Sequence, residues 1–237
     1  MTERLSTVQV ALVGLFVTAL VTAQLTAAKV LAVDSPLTLP LAGDTLFLPG
    51  AALAYALTFF ASDAYAELYG RRAAQVLVNV AFFLNFVMLA LVWSTIAAPV
   101  APNSPVGAEA FAGVLGPSTS IVVGSLAAYL VSQNWDVVVF HALRDVTDGA
   151  HLWLRNLVST GTSQLIDTVI FVTVAFFAVP AALGTGDPLP TSALAALIVG
   201  QYVLKLLIAL VDTPFVYAIV GFARRSKRSE PTVTTTE

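Results

Sequence analysis

The chain of 237 residues contains no cysteine, and charged residues make up only 11% of it. Without cysteine the chain can form neither a disulfide bond nor a thiolate metal site. Soluble domains usually carry about a quarter charged residues, so the scarcity of charge excludes an ordinary soluble domain. The net charge of −3 also argues against nucleic-acid binding, which needs a basic surface.

Signatures of catalysis and of cofactor binding are missing as well. No phosphate-binding loop pattern occurs, so we do not expect the chain to hydrolyse ATP itself. His141 and His151, its two histidines, have no ligand partners near them in the sequence. No serine–histidine pair lies at a depth that suits an intramembrane protease. We therefore expect a protein that is not an enzyme and that binds neither a metal nor a cofactor.

What the chain does contain is long apolar runs, with 58% hydrophobic residues and a mean hydropathy of +0.87. Apolar segments of about 17–25 residues are long enough to cross a bilayer as helices. The sequence therefore predicts an all-α integral membrane protein with six transmembrane helices. The predicted spans are Val8–Ala28, Ala51–Leu68, Ala73–Ala97, Ile121–Phe140, Leu165–Leu183 and Leu194–Phe222. The first span is expected to stay uncleaved, because it is too long for a signal peptide.

The cations predict the orientation of these helices. If the six spans alternate, nine cations lie on one side: Arg4, Arg71, Arg72, Arg144, Arg155, Arg224, Arg225, Lys227 and Arg228. The opposite loops, 30–50, 98–118 and 184–193, contain no Lys or Arg. This bias predicts cytoplasmic N- and C-termini in a multi-pass cell-membrane protein. We expect one membrane domain over 1–223 and a disordered tail over 224–237, which is basic and then Thr-rich.

Prolines and glycines predict where the chain leaves the membrane. We expect irregular external loops over 33–49 and 98–118, of which the first can fold back against the bundle. The polar segment 141–162 is predicted to be cytoplasmic. Pro214 is expected to kink or break the last helix.

A nine-residue pattern, S-Q-x-x-D-x-V-x-F, occurs at Ser132–Phe140 and again at Ser163–Phe171. On a helix its Ser, Gln and Asp share one face, since they lie three and four residues apart. The fourth and fifth spans run in opposite directions, so the two copies should face each other in inverted sense. We interpret them as the two halves of one binding site, in which either Asp→Asn change weakens binding about tenfold or more. The alternative is that the two carboxylates only brace the helices.

Seven ionisable residues lie within the predicted spans or, for Lys29, directly at the end of one: Lys29, Asp63, Glu67, Asp136, Asp167, Lys205 and Asp212. Facing lipid, they would together cost on the order of 20 kcal/mol, at roughly 2.5–3.5 kcal/mol each. They should therefore face one another or a wet cavity. The surplus of acids can be neutralised by protonation, by a bound cation or by a ligand with several N–H donors. For Glu67 the alternative is an ion pair with Arg71 near the cytoplasm.

The side chains at the motif indicate the class of ligand. A Gln beside an Asp offers donors and acceptors that match the amino-pyrimidinone edge of a guanine-like base. Aromatic residues that can stack on such a ring or wall the site are Phe59, Tyr65, Trp135, Phe140 and Phe171. Arg155 suits either an interfacial anchor or a gate. From these residues alone the ligand is a small polar, planar or cationic solute.

Four blocks of the chain, Thr58–Arg72, Ala127–Phe140, Leu152–Phe171 and Tyr202–Tyr217, resemble the queuosine precursor transporters, also called the vitamin uptake transporter family. The resemblance implies import of a 7-deazaguanine base, such as 7-cyano-7-deazaguanine or 7-aminomethyl-7-deazaguanine, for queuosine or archaeosine. It also implies a fold similar to the substrate-binding subunits of energy-coupling-factor transporters. The chain departs from the family pattern at Gln24, where we expect Asn.

The resemblance and the motif together give the candidate substrate-binding residues. They are Asp63, Glu67, Gln133, Trp135, Asp136, Arg155, Gln164, Asp167, Lys205 and Asp212. Two alternatives stay open: a substrate-binding subunit for another vitamin-like solute, and a non-transporting assembly protein whose buried charges specify packing. For an importer, three arrangements stay open: a chain that works alone with proton coupling, a homodimer, or a chain that docks an energising module through Ala19, Ala23 and Ala27.

Overall fold

The computed structural model describes residues 6–147, 152–184 and 186–228. These residues are mostly helical, with one two-stranded sheet. In chain order the elements are α1 (Thr7–Thr26), β1 (Val30–Leu39), β2 (Gly43–Pro49), α2 (Ala52–Tyr69), α3 (Arg71–Ala97), α4 (Ala108–Leu115), α5 (Ser118–Val146), α6 (Leu152–Thr173), a π-helical segment (Val174–Ala178), α7 (Val179–Leu183) and α8 (Thr191–Arg228).

Five helical stretches of the described chain are long and apolar enough to cross a membrane. They are Thr7–Thr26, Arg71–Ala97, Ala108–Val146, Leu157–Leu183 and Thr191–Val216. The expectation of a multi-pass helical membrane protein is therefore confirmed. α2 is not among the five, because Asp63, Glu67 and three tyrosines lower its hydropathy. The count of six spans remains a prediction.

Helices α5 and α6 form the most extensive helix–helix contact in the bundle. Gly124 permits this approach, since a Cβ there would lie 2.8 Å from the Cβ of Ala175 and 3.1 Å from the carbonyl oxygen of Phe171. Small residues have the same use on other membrane helices. Helix α8 closes the bundle by contacting both α6 and α2, while α1 packs along α2.

The alanine stripe of α1 is covered by the chain itself. Ala19, Ala23 and Ala27 are buried at 4%, 6% and 2% exposure. Ala23 and Ala27 belong to the apolar core that also contains Phe171 and Leu197. These alanines therefore pack inside the bundle, which leaves an external module no access to them in this conformation.

The expectation of an irregular loop over 33–49 was wrong. The chain forms an antiparallel β-hairpin in which residues 30–34 pair with residues 49–45. Leu41, with a φ of 64°, lies in the turn. The hairpin does fold back against the bundle, because β2 contacts α8 and Gly200 leaves no room for a Cβ beside the backbone of Phe47.

Three further boundaries differ from the sequence-based expectations. The loop over 98–118 contains α4, and the polar segment over 141–162 is largely helical, since α5 continues to Val146 and α6 begins at Leu152. Pro214 does not break α8, which is continuous over Thr191–Arg228. A proline removes only one backbone hydrogen bond, and membrane helices tolerate that loss. Of the predicted tail, residues 224–228 continue α8, and residues 229–237 lie outside the described residues.

Candidate functional site

A buried ion pair joins α6 to α8. The Nζ of Lys205 donates to Oδ2 of Asp167 at 2.5 Å, and the two side chains are 3% and 19% exposed. A lone charge at this depth costs several kcal/mol, so each partner compensates the other. From α2, the ring of Tyr55 lies with its centre 5.5 Å from the same Nζ, within cation–π range.

The two copies of the repeated motif are cross-bonded. The Oγ of Ser132 donates to Oδ1 of Asp167 at 3.3 Å, and the Oγ of Ser163 donates to Oδ1 of Asp136 at 3.5 Å. The serine of each copy thus bonds the carboxylate of the other copy. This reciprocity follows from the antiparallel packing of α5 and α6, so the structure brings the copies together in the inverted sense that the sequence predicts.

One face of the ion pair borders a partly open cavity of about 140 Å³ between α1, α2, α3, α5, α6 and α8, which we call the central cavity. Its polar lining consists of Gln24, Tyr55, Ser125, Tyr129, Asp167 and Gln201. Apolar and aromatic residues, including Phe82 and Phe171, supply most of the rest. An apolar cavity of about 150 Å³ binds a benzene ring in another protein, so this cavity has the size of an aromatic ring.

The other face of the ion pair borders a second cavity of about 800 Å³, which we call the charged cavity. Its lining includes Asp63, Glu67, Arg71, Gln164 and Lys205. Asp167 lines the central cavity and Lys205 lines the charged cavity, so the ion pair lies between the two.

The structure gathers some of the predicted site residues and separates others. Asp63, Glu67, Gln164 and Lys205 share the charged cavity, and Asp167 lies at its boundary with the central cavity. Gln133 and Trp135 lie on an exposed face of α5 and line neither cavity.

The remaining predicted site residues have few described contacts. Asp136 is half-buried, and its described partner is Ser163. The indole Nε1 of Trp135 donates to Oγ1 of Thr162 at 3.1 Å. The side chains of Arg155 and Asp212 lie outside the described residues. Their assignment to the site, like that of Gln133 and Trp135, stays a prediction.

Several polar residues of the central cavity escaped the sequence-based assignment. Gln24 is 3% exposed, and its amide lies 3.5 Å from the Oγ of Ser125. Gln201 is 6% exposed and lies one turn before Lys205 on α8. That i, i+4 spacing was the available signal for Gln201. Tyr55 gave none, because its role depends on where α2 meets α8.

A multi-pass helical bundle with a buried ion pair beside an internal cavity has the features of a membrane transport protein. Comparison with known proteins agrees. The family model described as "Putative vitamin uptake transporter" matches residues 49–219. The chain is 31% identical over 180 residues to the "Probable queuosine precursor transporter" of Bacillus subtilis (strain 168), a match covering 74% of this chain and 72% of that protein. No solved structure matches the chain.

The chain belongs to the vitamin uptake transporter family. The resemblance drawn from the four sequence blocks is therefore confirmed at the level of the family.

Proposed function

We propose that the chain imports a 7-deazaguanine base, a precursor of queuosine, through a site centred on Asp167 and Lys205. The observation that carries the proposal is the ion pair at the wall of the central cavity, 3% and 19% exposed. The relative's printed name supports the substrate class. The aromatic lining suits a planar base, and a two-ring base requires this cavity of about 140 Å³ to expand on binding.

The lining of the central cavity fits a planar, N–H-rich ligand. Phe82, Tyr129 and Phe171 offer faces and edges to a flat ring. The carboxylate of Asp167 accepts hydrogen bonds only, which suits adjacent N–H groups on the edge of a guanine-like base. An N–H edge bound there competes with Lys205 for the same carboxylate.

That competition supplies a route for translocation. Because the ion pair separates the central cavity from the charged cavity, a substrate that passes between them has to open the pair. A base that replaces Lys205 at Asp167 compensates the carboxylate while the lysine moves. Binding of the base then favours the conformation in which the ion pair is open, because the ligand interacts more strongly with that conformation.

We propose six spans, with α2 as the sixth and both termini in the cytoplasm of a cell-membrane protein. Asp63 and Glu67 of α2 border the charged cavity, so this helix can cross the bilayer with its acids turned away from lipid. The positive-inside distribution of Lys and Arg supports the orientation. Since the alanine stripe of α1 is buried within the bundle, we propose that the chain works alone, with proton coupling through its acids.

Uptake into proteoliposomes tests the function. We expect vesicles with the purified chain to accumulate radiolabelled 7-cyano-7-deazaguanine, unlabelled base to compete and adenine not to compete. Collapsing an imposed proton gradient should reduce accumulation to equilibration. If monodisperse protein shows no uptake and no binding of the base, the proposal is overturned. Uptake that does not depend on the gradient would remove only the proton coupling.

A further inference from the structure

We infer that Gln201 recognises the substrate: its Oε1 accepts a hydrogen bond from the exocyclic amine of the base in the central cavity. The inference rests on the proposed function and adds a residue that determines specificity within the same site. It begins with the position of Gln201, which lines the central cavity and is 6% exposed.

The amide oxygen of Gln201 is buried, and none of the described residues donates a hydrogen bond to it. Buried polar atoms in proteins nearly always have a partner, and an exception calls for an explanation. A ligand N–H in the adjoining cavity supplies one.

Other acceptors of the central cavity already have donors. Asp167 receives Lys205 and Ser132. The hydroxyl of Tyr129 lies 2.8 Å from the donor Nε2 of Gln75, outside the cavity lining. Gln201 is therefore an acceptor that a ligand can engage without displacing a described bond.

The chemistry of a guanine-like edge distributes its donors in the same way. The ring N–H and one amine N–H point in the same direction and suit the two oxygens of Asp167. The second amine N–H points away from them and needs a separate acceptor. The carboxamide of Gln201 provides that acceptor, and its own NH₂ can donate to a ring nitrogen.

A second orphaned amide lies on the opposite side of the ion pair. The Oε1 of Gln164 also lacks a donor among the described residues, and Gln164 lines the charged cavity. Gln164 precedes Asp167 by three residues, and Gln201 precedes Lys205 by four. A base that passes the ion pair from the central cavity to the charged cavity leaves the amide of Gln201 and meets the amide of Gln164.

The test compares two probes on purified protein: 7-cyano-7-deazaguanine and its analogue without the exocyclic amine. We expect the unaltered chain to bind the amine-bearing base more tightly. Gln201→Leu should weaken that binding about tenfold, the effect of one lost buried hydrogen bond. Its affinity for the analogue should hardly change, so the preference disappears. Asn134→Leu, which removes an exposed amide that lines neither cavity, is the matched control and should keep the preference.

Gel filtration establishes that each variant is folded, and Gln201→Asn, which retracts the acceptor by one methylene, replaces Gln201→Leu if the latter aggregates. A folded variant at position 201 that keeps the preference overturns the inference. So does loss of the preference in Gln164→Leu alone, because the base would then be read in the charged cavity. Equal binding of both probes by the unaltered chain also overturns it but leaves the proposed function standing. Failure to bind either probe contradicts the proposed function itself.

Discussion

The two copies of the repeated motif have the same polar residues but different surroundings. In the copy on α6, Asp167 forms the ion pair with Lys205, and the Oε1 of Gln164 is buried. In the copy on α5, Gln133 is exposed and Asp136 is half-buried against Ser163. The sequence makes the copies equivalent, whereas in the structure Asp167 and Gln164 of the α6 copy line the central cavity and the charged cavity, and Gln133 and Asp136 line neither of these two cavities.

The third helix accounts for the difference. α8 packs along α6 and brings Lys205 to the carboxylate of the α6 copy. Among the described side chains, no cation lies within ion-pair distance of Asp136. Two antiparallel helices can build a symmetric pair of carboxylates, and a third helix then decides which one receives a cation.

Asp167→Asn should have the largest effect. Removing one partner of a buried ion pair leaves the other charge uncompensated and costs about 3–5 kcal/mol. We therefore expect a large loss of monodisperse protein in detergent and of uptake. Lys205→Met should behave in the same way, because it leaves the buried carboxylate of Asp167 without its cation.

The double variant Asp167→Leu/Lys205→Met separates folding from function. It removes both charges, so folded yield should recover while uptake stays absent. Normal uptake by the double variant would show that the ion pair serves packing alone.

Gly124→Ala should have the next largest effect, because it forces apart the helices that carry the two copies. The new Cβ would lie 2.8 Å from the Cβ of Ala175, closer than such atoms approach without a shift. Overpacking of this kind costs roughly 1–3 kcal/mol, which a lower thermal unfolding midpoint should reveal. Gly14→Ala on α1 is the control: its Cβ would meet nothing within 4 Å, and its midpoint should not fall. Equal midpoints for the two variants would contradict the close α5–α6 contact.

Asp136→Asn should have a small effect. The Oδ1 of asparagine can still accept from Ser163, and no described cation loses its partner. We expect base affinity to change by less than about threefold, under ~1 kcal/mol. Asp145→Asn, at the exposed end of α5, should change nothing. An effect as large as that of Asp167→Asn would restore the two equal halves that the sequence predicts.

Trp135→Phe should have the smallest effect. The indole is 43% exposed and loses only its hydrogen bond to Thr162, worth about 0.5–1.5 kcal/mol. Uptake rates should stay within error of the unaltered chain. A clear rise in the Kd for the base would place Trp135 in the site after all.

Local patterns in the sequence predicted a multi-pass helical membrane protein and the facing of the two copies, because hydropathy and helical periodicity are properties of single segments. The hairpin was missed because Pro36, Pro40 and Pro49 are typical of irregular loops. Its strands pair with each other and pack on α8 near Gly200. Such support from a distant segment leaves no local pattern.

The same difference between local patterns and support from distant segments applies to the residues of the candidate site. Asp167 and Lys205 can each be recognised from the sequence of one helix, because an ionisable residue within an apolar span is unusual. Gln201 and Tyr55 gain their roles only where α2, α6 and α8 converge. A polar residue on one helix does not reveal which neighbour completes its surroundings.

The central claim is that the base binds between Asp167 and Gln201 rather than at the α5 copy of the motif. A structure of the chain with bound 7-cyano-7-deazaguanine, determined by electron cryomicroscopy, tests it most directly. We predict density for the base in the central cavity, with its N–H edge within hydrogen-bonding distance of Asp167. Density for the base against Gln133 and Asp136, with the central cavity empty, would contradict the claim.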